Sequence, residues 1–196
     1  QKVKEQTVYD VSIKMPSGGK VSLPHYPIDM VAANERAKSF TTRSIKKSSK
    51  LDALYLAISM VDLTTLEGMD TPGKVKQLCG KAIHPVPFEI QNKMMEYDNY
   101  RPIPHVGAVC VYPSMVPVAK DCLKGSGVEL ASVATAFPAG QLPLDIKISD
   151  VKRAVKFGAT EIDMVIDRGA FHCGKYQKVF DEIVKVKEAC GDAHLK

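Results

Sequence analysis

One short segment, residues 161–167, combines acidic and apolar side chains in a pattern that could carry chemistry. Successive side chains of a β-strand point to opposite faces, so the alternation predicts one apolar face that packs on helices and one acidic face. The apolar face contains Ile162, Met164 and Ile166, and the acidic face contains Glu161, Asp163, Val165 and Asp167.

Carboxylates on the inner face of a parallel sheet have two interpretations. Burying them is costly unless they are paired, so the structural interpretation is an ion pair with an interior lysine or arginine. In barrels, polar residues near the carboxyl ends of the strands form the active site, which is the functional interpretation. Both interpretations stay open on these residues alone.

Four further residues have chemistry that depends on where they lie. Asp62 and Thr64 fall on the same face of a predicted strand, where they either line a site or cap the following loop. Cys110 lies inside another strand and fits a small buried core residue better than a nucleophile. Lys196 follows the start of an apolar strand. A lysine there acts as an amine nucleophile if its pKa is depressed, or else pairs with the acidic face of residues 161–167.

The elements that must position these residues alternate between strand and helix. Strands are predicted to start near residues 60, 106, 128, 160 and 193, with no hairpin signal between them. Between them, Thr71 as a cap and Pro72 in the first turn predict the start of one helix, and Gly158 predicts the end of another. This alternation favours an α/β fold with parallel strands and crossover helices. A (β/α)8 barrel has about 250 residues, so the chain forms either an open doubly wound sheet or about the first five strands of a barrel.

The first 50 residues do not follow this alternation. A turn is predicted at residues 16–19, and a weak helix is predicted from about Asp29 to Phe40. Residues 1–50 are therefore interpreted as an N-terminal extension that covers a main domain at residues 51–196. Within that domain, the proline-rich residues 84–105 are interpreted as an inserted loop or short helix.

The composition excludes several classes of protein. The chain has 196 residues and a net charge of +5, and no apolar stretch reaches the about 18 residues that a membrane helix needs. Its five cysteines are odd in number and contain no C-x-x-C pair, so we expect neither a disulfide framework nor a zinc site, and we expect a reducing, cytoplasmic location. Walker, G-x-G-x-x-G and G-x-S-x-G motifs are absent.

Several segments occur in a fixed order along residues 51–196. They are Val61-Asp62-Leu63-Thr64-Thr65-Leu66, Ala108-Val109-Cys110-Val111-Tyr112-Pro113, Phe137-Pro138-Ala139-Gly140, Gly158-Ala159-Thr160-Glu161-Ile162-Asp163-Met164-Val165, and Lys187-Glu188-Ala189-Cys190-Gly191 followed by His194-Leu195-Lys196. Together they resemble the deoxyribose-phosphate aldolase family of class I aldolases. The extension and the insertion resemble the longer, eukaryotic-type members.

The resemblance implies a fold, a reaction and a set of partners. The fold is a TIM (β/α)8 barrel, and residues 51–196 are its N-terminal part. The reaction is the reversible cleavage of 2-deoxy-D-ribose 5-phosphate to D-glyceraldehyde 3-phosphate and acetaldehyde through a lysine imine, in deoxyribonucleotide and carbohydrate catabolism. The resemblance implies neither a metal nor an organic cofactor, a sugar phosphate as the partner, and no nucleic acid or membrane. A homo-oligomer is left open.

The resemblance also implies roles for single residues. Asp163 matches the acidic residue of the family's proton relay, and Asp62, Thr64 and Cys110 match positions that line the substrate pocket. Lys196 matches a lysine near the pocket and not the lysine that forms the imine.

The chain departs from the family pattern in one important respect. The imine-forming lysine of the family lies in a Phe-Ile-Lys-Thr-Ser-Thr-Gly-like segment, and a second lysine lies in a Gly-Phe-Lys-Pro-like segment. Neither segment occurs in these 196 residues, and neither does the glycine-rich phosphate-binding loop. Residues 167–169, Asp-Arg-Gly, also differ from the Pro or Asn that commonly follows this strand.

Three hypotheses follow, of which a regulatory protein or phosphate-sugar sensor that uses the same pocket ranks last. The first is an active aldolase whose natural chain continues for about 80 residues or more past Lys196, with about three further strands. The alternative is an aldolase-like protein without catalysis, which acts as a binding or scaffold protein.

Overall fold

The structure is a computed structural model that describes residues 11–23, 27–97 and 100–196. The strands are β1 (Val11–Lys14), β2 (Lys20–Leu23), β3 (Asp62–Thr64), β4 (Ala108–Val111), β5 (Glu129–Ala134), β6 (Glu161–Met164) and β7 (His194–Leu195). The helices are α1 (Met30–Thr41), α2 (Lys47–Ser59), α3 (Pro72–Ile83), α4 (Phe88–Met94), α5 (Val116–Leu123), α6 (Leu144–Phe157), α7 (Arg168–His172) and α8 (Tyr176–Cys190).

Strands β3 to β7 form one parallel sheet in the order β3-β4-β5-β6-β7. They begin at residues 62, 108, 129, 161 and 194, close to the predicted starts. A doubly wound sheet reverses its strand order at a switch point, whereas this order follows the chain without reversal. The sheet therefore has the topology of a barrel wall.

The two faces of this sheet carry different side chains. Helices α3, α5, α6 and α8 lie side by side on one face, where Val109, Val111 and Ile162 are fully buried. This confirms the predicted apolar face of β6 for Ile162 and Met164, whereas Ile166 lies beyond the end of the strand. The other face forms a second, smaller cluster of short side chains, as expected for the narrow interior of a barrel. Its buried members are Ala108, Cys110, Ala131 and Val133.

Local sequence signals fix the ends of the helices as predicted. The Thr71 side chain accepts a hydrogen bond from the Lys74 backbone N–H, and Pro72 occupies the first turn of α3. Helix α6 ends at Gly158, whose φ of +114° is accessible to glycine. A Cβ at Gly158 would lie 2.5 Å from Cδ of Lys120, so a larger residue would also displace that side chain.

The described part of the extension contains a β-hairpin, the helix α1 and the first turn of α2. Strands β1 and β2 pair antiparallel around the predicted turn, and the hairpin packs on α8. The Gln177 side chain both donates to and accepts from the Lys14 backbone, at 3.1 Å and 2.7 Å. The predicted helix near residues 29–40 is confirmed as α1, which Asp29 caps.

The insertion at residues 84–105 contains the short helix α4, as one of its two interpretations predicted, and residues 98 and 99 lie outside the described part. Among the helices of the described residues, none has the length and apolarity to cross a membrane.

Candidate active site

The inner face of the sheet brings together five side chains: four come from three strands, and the fifth comes from the residue after β7. Strand β3 supplies Asp62, β4 supplies Cys110, and β6 supplies Glu161 and Asp163. Lys196 directly follows β7, and its backbone N–H donates to the Ile162 carbonyl at 2.8 Å. The parallel register aligns these strands, so residues far apart in sequence become neighbours.

The Lys196 ammonium lies at the centre of these five side chains, which together are called the Lys196 group. Its Nζ lies 2.9 Å from Oε2 of Glu161 and 3.2 Å from Oδ1 of Asp163, and it donates a hydrogen bond to Oδ2 of Asp62. The side chain is 35% exposed. Burial alone lowers the pKa of Lys196, but hydrogen bonds to Asp62 and Glu161 and the charge of Asp163 outweigh it and raise this pKa well above its usual value. The structure thus pairs Lys196 with the acidic face.

The two carboxylate oxygens of Asp163 have different surroundings. Oδ2 accepts a hydrogen bond from the Cys110 thiol at 3.4 Å. Oδ1 is buried and forms the ion pair with Lys196, yet it accepts no well-directed hydrogen bond from the described residues. A carboxylate oxygen that faces a lysine and keeps an accepting position free is suited to receiving a proton from a bound molecule.

Cys110 is a buried thiol, only 2% exposed, in the small cluster on the inner face. Desolvation, together with the nearby negative charge of Asp163, raises the pKa of Cys110 to about 12. The thiol therefore stays protonated near neutral pH and donates to Asp163. It is a packing and donor residue in this arrangement, with no activated sulfur.

Thr64 lies on the same face of β3 as Asp62, but among the described residues its hydroxyl bonds to none of the side chains around Lys196. Its hydroxyl donates to the Asp62 carbonyl at 3.0 Å, and its side chain is exposed. Thr64 lies opposite Cys110 in the register. Thr64 is the last residue of β3, and its exposed side chain can contact a molecule bound at this end of the strand.

Asp70 organises the loop after β3, a role that no local motif indicates, since the predicted cap of the following helix is Thr71. Its carboxylate accepts from the Thr65 hydroxyl at 2.9 Å, from the Glu67 N–H at 3.1 Å and from Lys74 Nζ at 2.6 Å. The hydrogen bond from Lys74 contributes most to a lowered pKa of Asp70. Asp70 thereby fixes the residues that directly follow Thr64.

The prediction that Asp167 shares the inner face with Glu161 and Asp163 is wrong. Strand β6 ends at Met164, so the alternation of side chains does not extend to residue 167. The Asp167 carboxylate instead accepts from the Ala170 N–H at 2.9 Å and caps α7, and it pairs with Lys178 at 2.6 Å. These bonds, first that from Lys178, lower the pKa of Asp167.

The loop after β5 closes one side of the inner face. Phe137 packs edge-on against Tyr112 with ring centroids 6.3 Å apart, and both rings contact the small inner cluster. Gly140 has a φ of +71°, and a Cβ at this position would lie 2.8 Å from the Ile166 carbonyl oxygen. Glycine is therefore needed for the close approach of this loop to the end of β6.

Within residues 11–23, 27–97 and 100–196, no three His, Cys, Asp or Glu side chains form a group that could hold a metal ion. The chemistry available to the described inner face is that of carboxylates, a protonated lysine and a thiol.

The comparisons with known proteins identify relatives of this chain. The model of the DeoC/LacD family aldolases matches residues 56–196. Deoxyribose-phosphate aldolase from Mus musculus is 40% identical over 172 residues, which cover 86% of this chain and 53% of that protein. The human deoxyribose-phosphate aldolase is 40% identical over 156 residues, which cover 79% of this chain and 48% of that protein. The chain thus spans about half the length of the curated relatives it matches.

A solved structure supports the same relationship. A putative deoxyribose-phosphate aldolase from Coccidioides immitis superposes with a TM-score of 0.58 at 30% identity, covering 72% of this chain and 48% of that one. The fold is therefore that of the TIM-barrel aldolases, and the five parallel strands are a part of such a barrel. The family match covers most of the chain, the identity reaches 40%, and the fold agrees: the chain belongs to the DeoC/LacD family of aldolases.

Proposed function

We propose that the complete protein is a deoxyribose-phosphate aldolase, which cleaves 2-deoxy-D-ribose 5-phosphate reversibly to D-glyceraldehyde 3-phosphate and acetaldehyde through a lysine imine. The observation that carries the proposal is the Lys196 group on the inner face of the sheet. It supplies a carboxylate with a free accepting oxygen beside a protonated lysine, in a chain that is 40% identical to curated aldolases of this name.

Asp163 is the proton-transfer residue in this proposal. Cleavage removes a proton from a hydroxyl of the imine-bound sugar as the C–C bond breaks, and a proton is then added to the carbon of the resulting enamine. The buried Oδ1 of Asp163 faces the inner side of the sheet and has room to accept a hydrogen bond. Positioned groups of this kind contribute about a hundredfold or more to rate.

Lys196 acts through its charge. Three carboxylates surround its ammonium, so the protonated form is favoured and the amine is a poor nucleophile. We assign the imine to a different lysine, in a segment that residues 1–196 do not contain. Lys196 holds Asp62 and Asp163 in fixed positions, while Asp62, Thr64 and Cys110 line the pocket for the sugar phosphate.

The same proposal includes a cytoplasmic location and leaves self-association open. All five cysteines are free, and Cys79, Cys110 and Cys190 are buried among apolar residues, which suits a reducing compartment. Homo-oligomer formation remains a prediction that light scattering on the complete protein measures directly.

The test is the release of D-glyceraldehyde 3-phosphate from 2-deoxy-D-ribose 5-phosphate by the complete protein, followed with a coupled dehydrogenase. We expect turnover by the wild type and a loss of about a hundredfold or more in Asp163→Asn, because the amide cannot accept the proton. Asp192→Asn, at an exposed carboxylate outside the Lys196 group, serves as the matched control and should keep full activity.

Binding of the sugar phosphate by the wild type without any turnover would contradict the proposal and favour the binding-protein alternative. Full activity of Asp163→Asn would remove Asp163 from the mechanism.

A further inference from the structure

A threonine hydroxyl joins β5 and β6 at the point where their backbone ladder ends. Oγ1 of Thr135 accepts the Val165 backbone N–H at 2.8 Å, and its single hydrogen has two acceptors within reach, the carbonyl oxygens of Ala134 at 2.7 Å and of Val165 at 3.0 Å. Thr135 is fully buried. The last register pair of the two strands is Ala134 with Met164, so this side chain occupies the next step of the ladder.

The backbone at this point is strained. Thr135 and Ala136 both have a φ of +62°, a left-handed conformation that is unfavourable for residues with a Cβ and rare for a β-branched one. Such strain persists only where surrounding contacts impose it, and it concentrates at functional sites. Here the left-handed turn directs the Thr135 hydroxyl sideways onto β6.

The Thr135 hydroxyl bonds to the side of the β6 backbone on which the backbone groups of Asp163 lie. The Ile162 carbonyl and the Met164 N–H bond to the backbone of Lys196 on the β7 side. Alternate residues of a strand bond to opposite neighbours, so Asp163 and Val165 face β5. The Val165 N–H is the next group after Asp163 that faces β5. The Thr135 hydroxyl therefore holds β6 on this side, two residues after Asp163.

We propose that Thr135 is a positioning residue for Asp163: its hydroxyl holds the carboxyl end of β6 so that the Asp163 carboxylate stays between Lys196 and the Cys110 thiol. This inference rests on the proposed aldolase function. Without the hydroxyl, the Val165 N–H loses its acceptor and the end of β6 can separate from β5. A displacement of about 1 Å at a reacting group can cost about a hundredfold in rate.

The same pair of strands provides a matched control at its opposite end. Thr160 accepts the Leu130 backbone N–H at 3.0 Å and donates to Oε2 of Glu129 at 2.7 Å, where β5 and β6 begin. Thr160→Val thus removes a comparable hydroxyl link from the same sheet, far from the carboxyl ends where Asp163 lies. Thr135 is buried and Thr160 is exposed, so the free energy of unfolding of each variant is measured beside its activity. A purely structural role of Thr135 would make the loss of activity in both variants follow their loss of stability.

The experiment compares Thr135→Val, Thr135→Ser and Thr160→Val in the complete protein. We expect kcat for 2-deoxy-D-ribose 5-phosphate to fall about tenfold or more in Thr135→Val with KM within about threefold, because positioning affects the chemical step more than binding. Thr135→Ser should restore kcat to within about threefold, and Thr160→Val should keep it. Equal losses in Thr135→Val and Thr160→Val, or no recovery in Thr135→Ser, would overturn the proposal.

Amide hydrogen exchange of the wild type tests the link without relying on activity or on a variant that folds. The Val165 N–H should exchange as slowly as the Met164 N–H, which β7 protects. Free exchange at Val165 would overturn the inference while leaving the aldolase function intact. An inactive wild type with a protected Val165 would instead refute the proposed function, and with it the positioning role.

Discussion

At the scale of single residues, the site is defined by an imbalance of charge. One ammonium, that of Lys196, faces the three carboxylates of Asp62, Glu161 and Asp163. Removing the lysine would leave like charges close together on the inner face, which is why its protonated form is so strongly favoured. The arrangement suits a group that orients carboxylates and does not suit an attacking amine.

The cysteines give a direct test of the electrostatics at this scale. Because burial raises the pKa of Cys110 to about 12, its thiolate is scarce near neutral pH, and iodoacetamide should modify it slowly. Cys173 is exposed and should react first. The reaction of Cys110 should accelerate as the pH rises toward its pKa. Mass spectrometry of timed samples measures both rates, and equally fast labelling of Cys110 and Cys173 would contradict this description.

At the scale of elements, helices α6 and α8 are joined by a buried ion pair. Nζ of Lys147 lies 2.6 Å from Oε1 of Glu182, and the two side chains are 2% and 5% exposed. Removing one partner leaves an uncompensated buried charge, whereas replacing both with apolar residues of similar size removes the desolvation cost as well.

Lys147→Met and Glu182→Leu should each lower the free energy of unfolding by about 3–5 kcal/mol, while the double variant should be at least as stable as the wild type. Urea denaturation of the complete wild-type protein, the two single variants and the double variant forms a double-mutant cycle. Additive losses in the double variant would show that the two side chains stabilise the protein independently.

Many of the ends of the helices and strands could be predicted, because the sequence signals for them are local. The strand starts, the cap at Thr71 and the helix end at Gly158 each depend on a few neighbouring residues, and the structure confirms them. The Lys147–Glu182 pair was missed because it joins residues 35 positions apart on two different helices. Periodicity indicates which face of a helix is buried, but it does not show which lysine on that face finds a partner.

In the candidate site, too, some contacts could be predicted from the sequence and others could not. The pairing of Lys196 with Glu161 and Asp163 could be predicted, since both acids lie on the inner face of the neighbouring strand. The hydrogen bond from Lys196 to Asp62 depends on the curvature of the whole sheet, which no single strand reveals. Asp167 was assigned to the wrong face because its alternation continues past the end of the strand.

At the scale of the molecule, the described sheet has two open edges. Strands β3 and β7 are its outer strands, and each pairs with only one neighbour among the described residues. Asp62 and Thr64 on β3 are exposed although they lie on an inner face. Unpaired parallel edges expose backbone groups that readily pair with another chain.

A polypeptide of residues 1–196 expressed by itself should therefore self-associate and unfold without a cooperative transition, because none of its described strands covers the outer edges of β3 and β7. Size-exclusion chromatography with light scattering, together with a thermal melt, measures both properties. A soluble monomer with a sharp, reversible transition would contradict this expectation.

In the proposed mechanism, the Lys196 group serves an imine-forming aldolase, and Lys196 itself does not form the imine. Borohydride reduction of the complete protein in the presence of 2-deoxy-D-ribose 5-phosphate, followed by peptide mapping, tests it most directly. We predict a covalent adduct on a lysine other than Lys196, which is still trapped in Lys196→Met while turnover weakens. An adduct mapped to Lys196 itself, or no adduct on any lysine, would contradict this mechanism.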